Sequence, residues 1–268
     1  MIGNAEEYRS ARWKLAAIIP NVARWRAERQ KLVLASHQPD FFPWMGYFYK
    51  IFQSDVFVFS DNVQYSKSGR HNYNQILTGN GPMKFTLPIH YHPVNLNELQ
   101  IAADEYVVEK MLKTIRQEYC KAAHYEEAYP VIEELLRLAT VAESLADFNM
   151  QTILTLCHKF GLYKDRLFYI SSNLELQNRK DARIIEMCEY LGASAYYSGV
   201  AAKDYHIEED YRAHGIDLIY SDYEPVVYPQ VGKRSAINMC VIDYVMNCGF
   251  VLPQEWKRNA YDRKEETK

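Results

Sequence analysis

No apolar run approaches the roughly 20 residues that a membrane-crossing helix needs, so no span is expected in this chain. No two cysteines have C-x-x-C spacing. The five present, Cys120, Cys157, Cys188, Cys240 and Cys248, are scattered and odd in number. That pattern suggests neither a zinc site nor a disulfide framework. Cys157 and Cys188 fall inside apolar-periodic segments and read as small buried hydrophobes, which suits a reducing cytoplasm. The charge has no strong sign. A formal net charge of −3 gives no global argument for nucleic acid as a partner. Glu6, Glu7, Arg9, Arg12 and Lys14 interrupt the N-terminal stretch, so a secretory signal is not expected. Internal repeats and low-complexity segments are also missing.

What is present is an ordinary globular composition with one excess. Hydrophobic residues make up 48% and charged residues 24% of the 268 residues, enough for one large domain or two small ones. The excess is tyrosine, at 22 residues. A flat apolar ring with a hydroxyl at its tip suits sugar and nucleotide contacts, although Tyr can also simply stand where other chains use Phe or Leu.

The hydrophobic pattern predicts an α/β fold with a mostly parallel sheet, β-α-β units and a helical middle section. Residues 1–30 read as an N-terminal helical extension, Ser10–Ile19 and Val22–Gln30 broken at Pro20-Asn21. The α/β domain is expected over 31–252. Its first strand is Lys31–Ser36, a near-continuous apolar run of the kind buried on both faces. Pro43 suits a first helical turn, with Trp44–Gln53 as the helix, and Asp55–Ser60 is the second strand. His71–Leu77 reads as a short extended piece. A helical insertion at about 105–161 contains Glu105–Tyr119, Pro130–Thr140 and Leu145–Phe160, stopped at Gly161. Alternation then returns with strand Leu167–Ser171, helix Asp181–Leu191 and strand Ala195–Ser198. A turn or helix at Ala201–Tyr211, strand Asp217–Ser221 and helix Ile237–Cys248 complete the domain, and 253–268 is a charged tail.

The chemistry-bearing residues gather at strand ends. His37 directly follows the first strand and Asp61 the second. In an open parallel sheet the carboxyl ends of the strands face one crevice, where ligands bind. Taken singly, His37 and Asp61 can be loop and turn caps. Taken together they suit a general base and the carboxylate that orients it. The helix start near Pro43 offers free N–H groups to a phosphate or carboxylate. Gln64, Lys67, Arg70, Asn72 and Asn74 follow as a dense polar run, in which a cation can neutralise phosphate and the two asparagines, two apart, share a face of an extended strand. Ser198-Gly199, with Lys203-Asp204-Tyr205 behind it, is a second strand-end loop where small residues let a ligand approach backbone. Tyr228-Pro229-Gln230 is a polar aromatic loop before the last helix. His90 and His92, two apart, read as surface histidines, and no metal site is expected.

These residues carry a resemblance. The run His37-Gln38-Pro39-Asp40-Phe41-Phe42-Pro43-Trp44-Met45-Gly46-Tyr47-Phe48 with Lys50 resembles the opening signature of WbqC-like proteins. Asp61-Asn62-Val63-Gln64-Tyr65-Ser66-Lys67 and Asn72–Ile76 continue it. Tyr196-Tyr197-Ser198-Gly199 with Lys203-Asp204-Tyr205 is similar to the family's second motif. Tyr228-Pro229-Gln230 and Val241-Ile242-Asp243 with Asn247 and Gly249 are similar to the third. The chain departs at Tyr73, where the family tends to place arginine, and around Gly232–Ala236, where a Phe and a Pro are missing. The resemblance runs from about Lys31 to about Gly249. It implies bacterial O-antigen or other surface-polysaccharide biosynthesis, beside nucleotide-linked amino sugars, and an N-acyl- or aminoacyl-transferase acting on one.

On that reading His37 and Asp61 are catalytic. Gln38, Trp44, Tyr47, Gln64, Lys67, Asn72, Asn74, Ser198, Gly199, Lys203, Tyr205, Tyr228 and Gln230 are the candidate substrate contacts. Lys67 or the helix start is the expected diphosphate binder, and Trp44 and Tyr47 pack on base or sugar unless they are simply core. No cofactor is assigned. The expected partner is a small molecule, with a homo-oligomer left open. Two alternatives stand beside this: a nucleotidyltransferase-like enzyme binding a nucleoside triphosphate, and a non-catalytic nucleotide-sugar-binding protein.

Overall fold

The short apolar runs become the strands of one parallel sheet. In the computed structural model, which describes residues 31–232 and 235–258, β1 (Val33–His37), β2 (Val56–Phe59), β5 (Leu167–Ile170), β6 (Ala195–Ser198) and β7 (Asp217–Tyr220) align in the order β5-β2-β1-β6-β7. The expected helices at Ser10–Ile19 and Val22–Gln30, and the tail beyond 258, lie outside the described residues. A separate antiparallel hairpin pairs β3 (Tyr73–Thr78) with β4 (Gly81–Thr86) through Gly79-Asn80. The fold is α/β with a mostly parallel sheet.

Alternation along the strands divides the core in two. Val33, Ala35, Phe57, Phe59, Ala195, Tyr197 and Ile219 face a large cluster. That cluster also holds residues of α1 (Met45–Gln53), α2 (Glu105–Tyr119), α3 (Tyr125–Arg137), α4 (Leu145–Lys159) and α7 (Val241–Cys248). Leu34, Val56, Val58 and Tyr196 face a smaller cluster completed by α5 (Lys180–Leu191) and by Tyr211 of α6 (Glu208–Ala213). A sheet covered on both faces explains why its strands read as continuous apolar runs rather than alternating ones.

Three boundaries differ from the sequence reading, each for a physical reason. Helix α3 starts at Tyr125, before the expected Pro130, and carries that proline inside it. Pro130 is exposed, so the carbonyl that loses its N–H partner can turn to water. Helix α7 starts at Val241 rather than Ile237 because Asn238 takes a left-handed φ of +57° and the Cys240 N–H donates to Gln75 O. Pro43 lies just ahead of α1, whose first flanking residue is Trp44 in extended conformation, and its carbonyl accepts the Val241 N–H. Strand β4 is an element the sequence reading did not anticipate.

The far end of α1 is closed by a buried cation. Arg166 donates to the carbonyls of Ile51 and Phe52, at 2.8 and 2.7 Å, and to Leu162 O. The Ile51 and Phe52 carbonyls belong to the last turn of α1, at the negative end of the helix dipole, where Ile51 O also accepts the Ser54 N–H. Burial lowers the Arg166 pKa to about 10, with Arg258 acting in the same direction.

Candidate functional site

The chain runs outward from β1 through β2 to β5, then returns to β6 on the other side of β1. The order of strands therefore reverses between β1 and β6, the position where open α/β sheets bind ligands. The register sharpens this. β1 pairs with β2 over four residues and β6 with β7 over four, but β1 pairs with β6 only at Val33↔Ala195 and Leu34↔Tyr196. Beyond those two pairs the central strands part. Ser36-His37-Gln38 stands on one side of the opening and Ser198-Gly199 on the other.

The loop after β1 is held by burial and by two amides. Phe41 and Phe42 are fully buried, and Phe41 stacks on Phe148 of α4 at 6.0 Å. Two such rings contribute about 2–3 kcal/mol each. That offsets the strain of Phe42, whose φ is +38°. Asn74 donates to Phe41 O and Phe42 O, and Asn149 donates to Pro39 O and His71 O. The segment is rigid where it meets the opening.

His37 sits edge-on to Tyr47 and Trp44, with ring centroids 4.8 and 6.1 Å away, and keeps 26% of its side chain accessible. Its Nδ1 lies 3.0 Å from Gln38 O, which also accepts the Tyr47 hydroxyl. A carbonyl can only accept, so Nδ1 carries the proton and Nε2 holds the free lone pair. Burial pulls the His37 pKa below its ordinary 6.5, and the Lys50 charge adds to that; Asp40 and the Gln38 carbonyl oppose it. The ring is a neutral base near pH 7. The fold favours this neutral form, so its contribution to stability is full above 6.5 and falls as pH drops through the lowered folded value.

Two groups behind His37 were not singled out in the sequence. Asp40, 3% exposed, places Oδ1 2.9 Å from His71 Nδ1 and Oδ2 3.8 Å from His37 Nδ1. Lys50 donates to Ser36 O at 2.9 Å, and burial lowers its pKa to about 8 against the pull of Asp40. Lys50→Met removes a positive charge that disfavours the imidazolium. The expected result is a higher His37 pKa, read as an upward shift of its ring-proton titration by NMR. An unchanged or lower midpoint would show that Lys50 does not act on this ring.

The other expected site residues divide among six places. Asp61 is not paired with His37. Its carboxylate accepts Ser171 Oγ, Ser172 N, Ser172 Oγ and Asn97 Nδ2, and it is 2% exposed. It closes the tips of β2 and β5, away from the point where the strand order reverses, and Asp40 stands nearer the histidine. Lys67 and Asn72 line a cleft of about 370 Å³ with Tyr65, Tyr73, Lys84 and Tyr91. There the Lys67 and Lys84 ammonium groups lie 4.5 and 3.7 Å from the Tyr91 and Tyr73 ring centres. This cleft connects back through Tyr65, which packs edge-on to His71 at 5.8 Å. Asn74 spends both amide ends on Phe41, Phe42, Arg70 and Gln75, as a brace for the β1 loop. Gln64 is exposed and bridges Asn95.

At the β6 tip, Tyr205 is 81% exposed and Lys203 Nζ lies 5.7 Å from the Tyr220 ring centre. Tyr228 and Gln230 both donate to Asp243 Oδ1 at 2.6 Å, and Gln230 Oε1 accepts the Ala236 N–H. Asp243 also accepts Tyr119 on its other oxygen, so this third motif ties the loop before α7 to α2. Among the described residues no group of three or more His, Cys, Asp or Glu is placed to hold a metal ion, and no helix is long and apolar enough to cross a membrane.

The WbqC-like protein family matches residues 38–253, which spans the β1 loop, the β6 tip and the Asp243 network. The chain belongs to that family. The WbqC-like chain is also similar to a protein of Mycobacterium tuberculosis (strain ATCC 25618 / H37Rv) named "Uncharacterized protein Rv1507c". The two are 26% identical over 221 residues, covering 81% of this chain and 94% of that protein. No solved structure matches it.

Proposed function

We propose that this WbqC-like protein transfers an acyl or aminoacyl group to the amine of a nucleotide-linked amino sugar in surface-polysaccharide biosynthesis. The observation that carries the reading is the state of His37. Its Nδ1 is tied to the Gln38 carbonyl, its pKa is lowered by burial, and it stands where β1 and β6 part. Amide formation begins with an amino group that must lose a proton before its lone pair can attack a carbonyl carbon. His37 Nε2 takes that proton. The cleft formed by Tyr65, Tyr73, Tyr91, Lys67 and Lys84 suits the nucleotide diphosphate, offering ring faces to a base and ammonium groups to phosphate.

The test is calorimetric titration of the protein with UDP- and dTDP-linked amino sugars, followed by mass spectrometry of each sugar incubated with an acyl thioester. Saturable binding and an acylated sugar are expected. Metal-dependent binding of a nucleoside triphosphate, with no response to any nucleotide sugar, would replace this reading by nucleotidyl transfer. Saturable binding with no acylated product from any donor would leave a binding protein.

A further inference from the structure

The tip of β6 holds a second cluster that the proposal above does not use. Ser198 Oγ lies 2.8 Å from His206 Nε2, and His206 Nδ1 lies 2.8 Å from Asp181 Oδ1. The three come from different elements: Ser198 ends β6, Asp181 opens α5, and His206 precedes α6. Asp181 is itself fixed, because its other oxygen accepts the Ile207 N–H at 3.0 Å. A carboxylate on Nδ1 sets the tautomer that leaves Nε2 as acceptor, and the group within reach of Nε2 is a hydroxyl. The alternative acceptor for that hydroxyl, Gly199 O, is 3.5 Å away, too long to compete.

We infer that Ser198 is a nucleophile, activated by His206 and positioned through Asp181, that carries the acyl group as an ester before it reaches the amine. Placement supports this beyond the hydrogen bonds. Ser198 ends β6 as His37 ends β1, both at the carboxyl edge of the sheet just beyond the last β1–β6 pair. Alternation sets the Ser198 side chain on the α5–α6 face and His37 on the α1 face, so the two flank the strand tips from opposite sides. Ser198 is 2% exposed, and the neighbouring Gly199 has open space beside its backbone, since a methyl group added there would meet no atom within 4 Å. A tie for the following loop needs only Asp181 and the Ile207 N–H; it does not need a serine hydroxyl on the outer nitrogen of the ring.

The donor class is an acyl thioester or a comparably activated ester. In the first half, Ser198 Oγ bonds to the acyl carbon as its proton passes to His206 Nε2. The carbon–sulfur bond breaks, and the departing sulfur takes that proton as a free thiol. In the second half, the sugar ammonium loses one proton to His37, and the amine attacks the ester carbon. Its second proton goes to His206 and then to Ser198 Oγ as the carbon–oxygen bond breaks. The products are an amide, a thiol and one proton, which His37 returns to water.

This inference rests on the acyl-transfer reading for its second half only, so the test separates the two. Wild-type protein is mixed with p-nitrophenyl acetate, and the proteolysed chain is mapped by mass spectrometry. A burst of one nitrophenolate per chain and an acetyl group on Ser198 are expected. His206→Gln, checked for an unchanged unfolding midpoint, should slow that acetylation about 10²–10⁴-fold. No acetyl on Ser198 in the wild-type protein, or acetylation indifferent to His206, overturns the inference. Acetyl on Ser198 with no transfer to any amino sugar keeps it and removes the acyl-transfer reading. Amide product formed at the wild-type rate by Ser198→Ala does the reverse.

Discussion

His37→Gln is expected to lower the turnover of acyl transfer about 10³-fold, within the 10²–10⁴-fold range of a positioned base. Glutamine keeps a side chain that can donate to Gln38 O, and that carbonyl retains the Tyr47 hydroxyl at 3.0 Å, so the loop keeps its anchor. What is lost is the nitrogen lone pair. The effect should fall on kcat with KM little changed, because the substituted atom meets the proton rather than the nucleotide. The wild-type rate should hold as pH is lowered to 6.5 and fall only below it, since burial and Lys50 both push the imidazole toward its neutral form. The variant should lack that acid limb. Steady-state rates with the acylated sugar as readout decide it: turnover within threefold of wild type removes His37 as the base.

The β1 loop was legible because its chemistry is local. His37, Gln38, Trp44 and Tyr47 lie within 11 residues of one another, so a strand followed by a proline-containing loop was enough to place them at one tip. The parallel strands were legible for a similar reason, as buried apolar runs that announce themselves one at a time. Strand order is not local. Asp61 was correctly placed at the end of β2, but nothing in the residues said that β5 would flank it and bring Ser171 and Ser172 to its carboxylate. The expected His37–Asp61 pair therefore gave way to Asp40, only three residues along the same loop. The β6 cluster shows the same limit. Ser198-Gly199 was visible as a strand end, but Asp181 and His206 are 25 residues apart and meet only because α5 and the loop before α6 pack on the same face of the sheet. Lys50 belongs to the opening motif, but its effect on His37 depends on burial, which a motif does not state.

The support of that loop yields the second large effect, because one side chain carries it from the helical layer. Asn149 is fully buried in α4, and its Nδ2 donates to Pro39 O at 2.8 Å and to His71 O at 2.7 Å. Those carbonyls flank the Asp40–His71 pair on both sides, so one amide group holds the register between the loop after β1 and the approach to β3. Asn149→Ala leaves two buried carbonyls without a donor, each costing about 1–3 kcal/mol. Loss of the buried Asn149 Oδ1, which has no hydrogen-bond partner among the described residues, offsets part of that. A net destabilisation of about 3 kcal/mol is expected, read as a lower urea midpoint at unchanged slope. By heat it corresponds to a fall of about 6–12 °C in the unfolding midpoint. Asn149→Asp keeps the shape but reverses the donor, placing a carboxylate against two carbonyls, and should be worse. A loss below about 1 kcal/mol in Asn149→Ala would mean that the burial of Phe41 and Phe42 and the Asn74 amide hold the loop without Asn149. The stability loss also separates the two roles in the site: His37→Gln should lower turnover about 10³-fold in a protein that unfolds like the wild type, whereas Asn149→Ala should lower turnover and stability together.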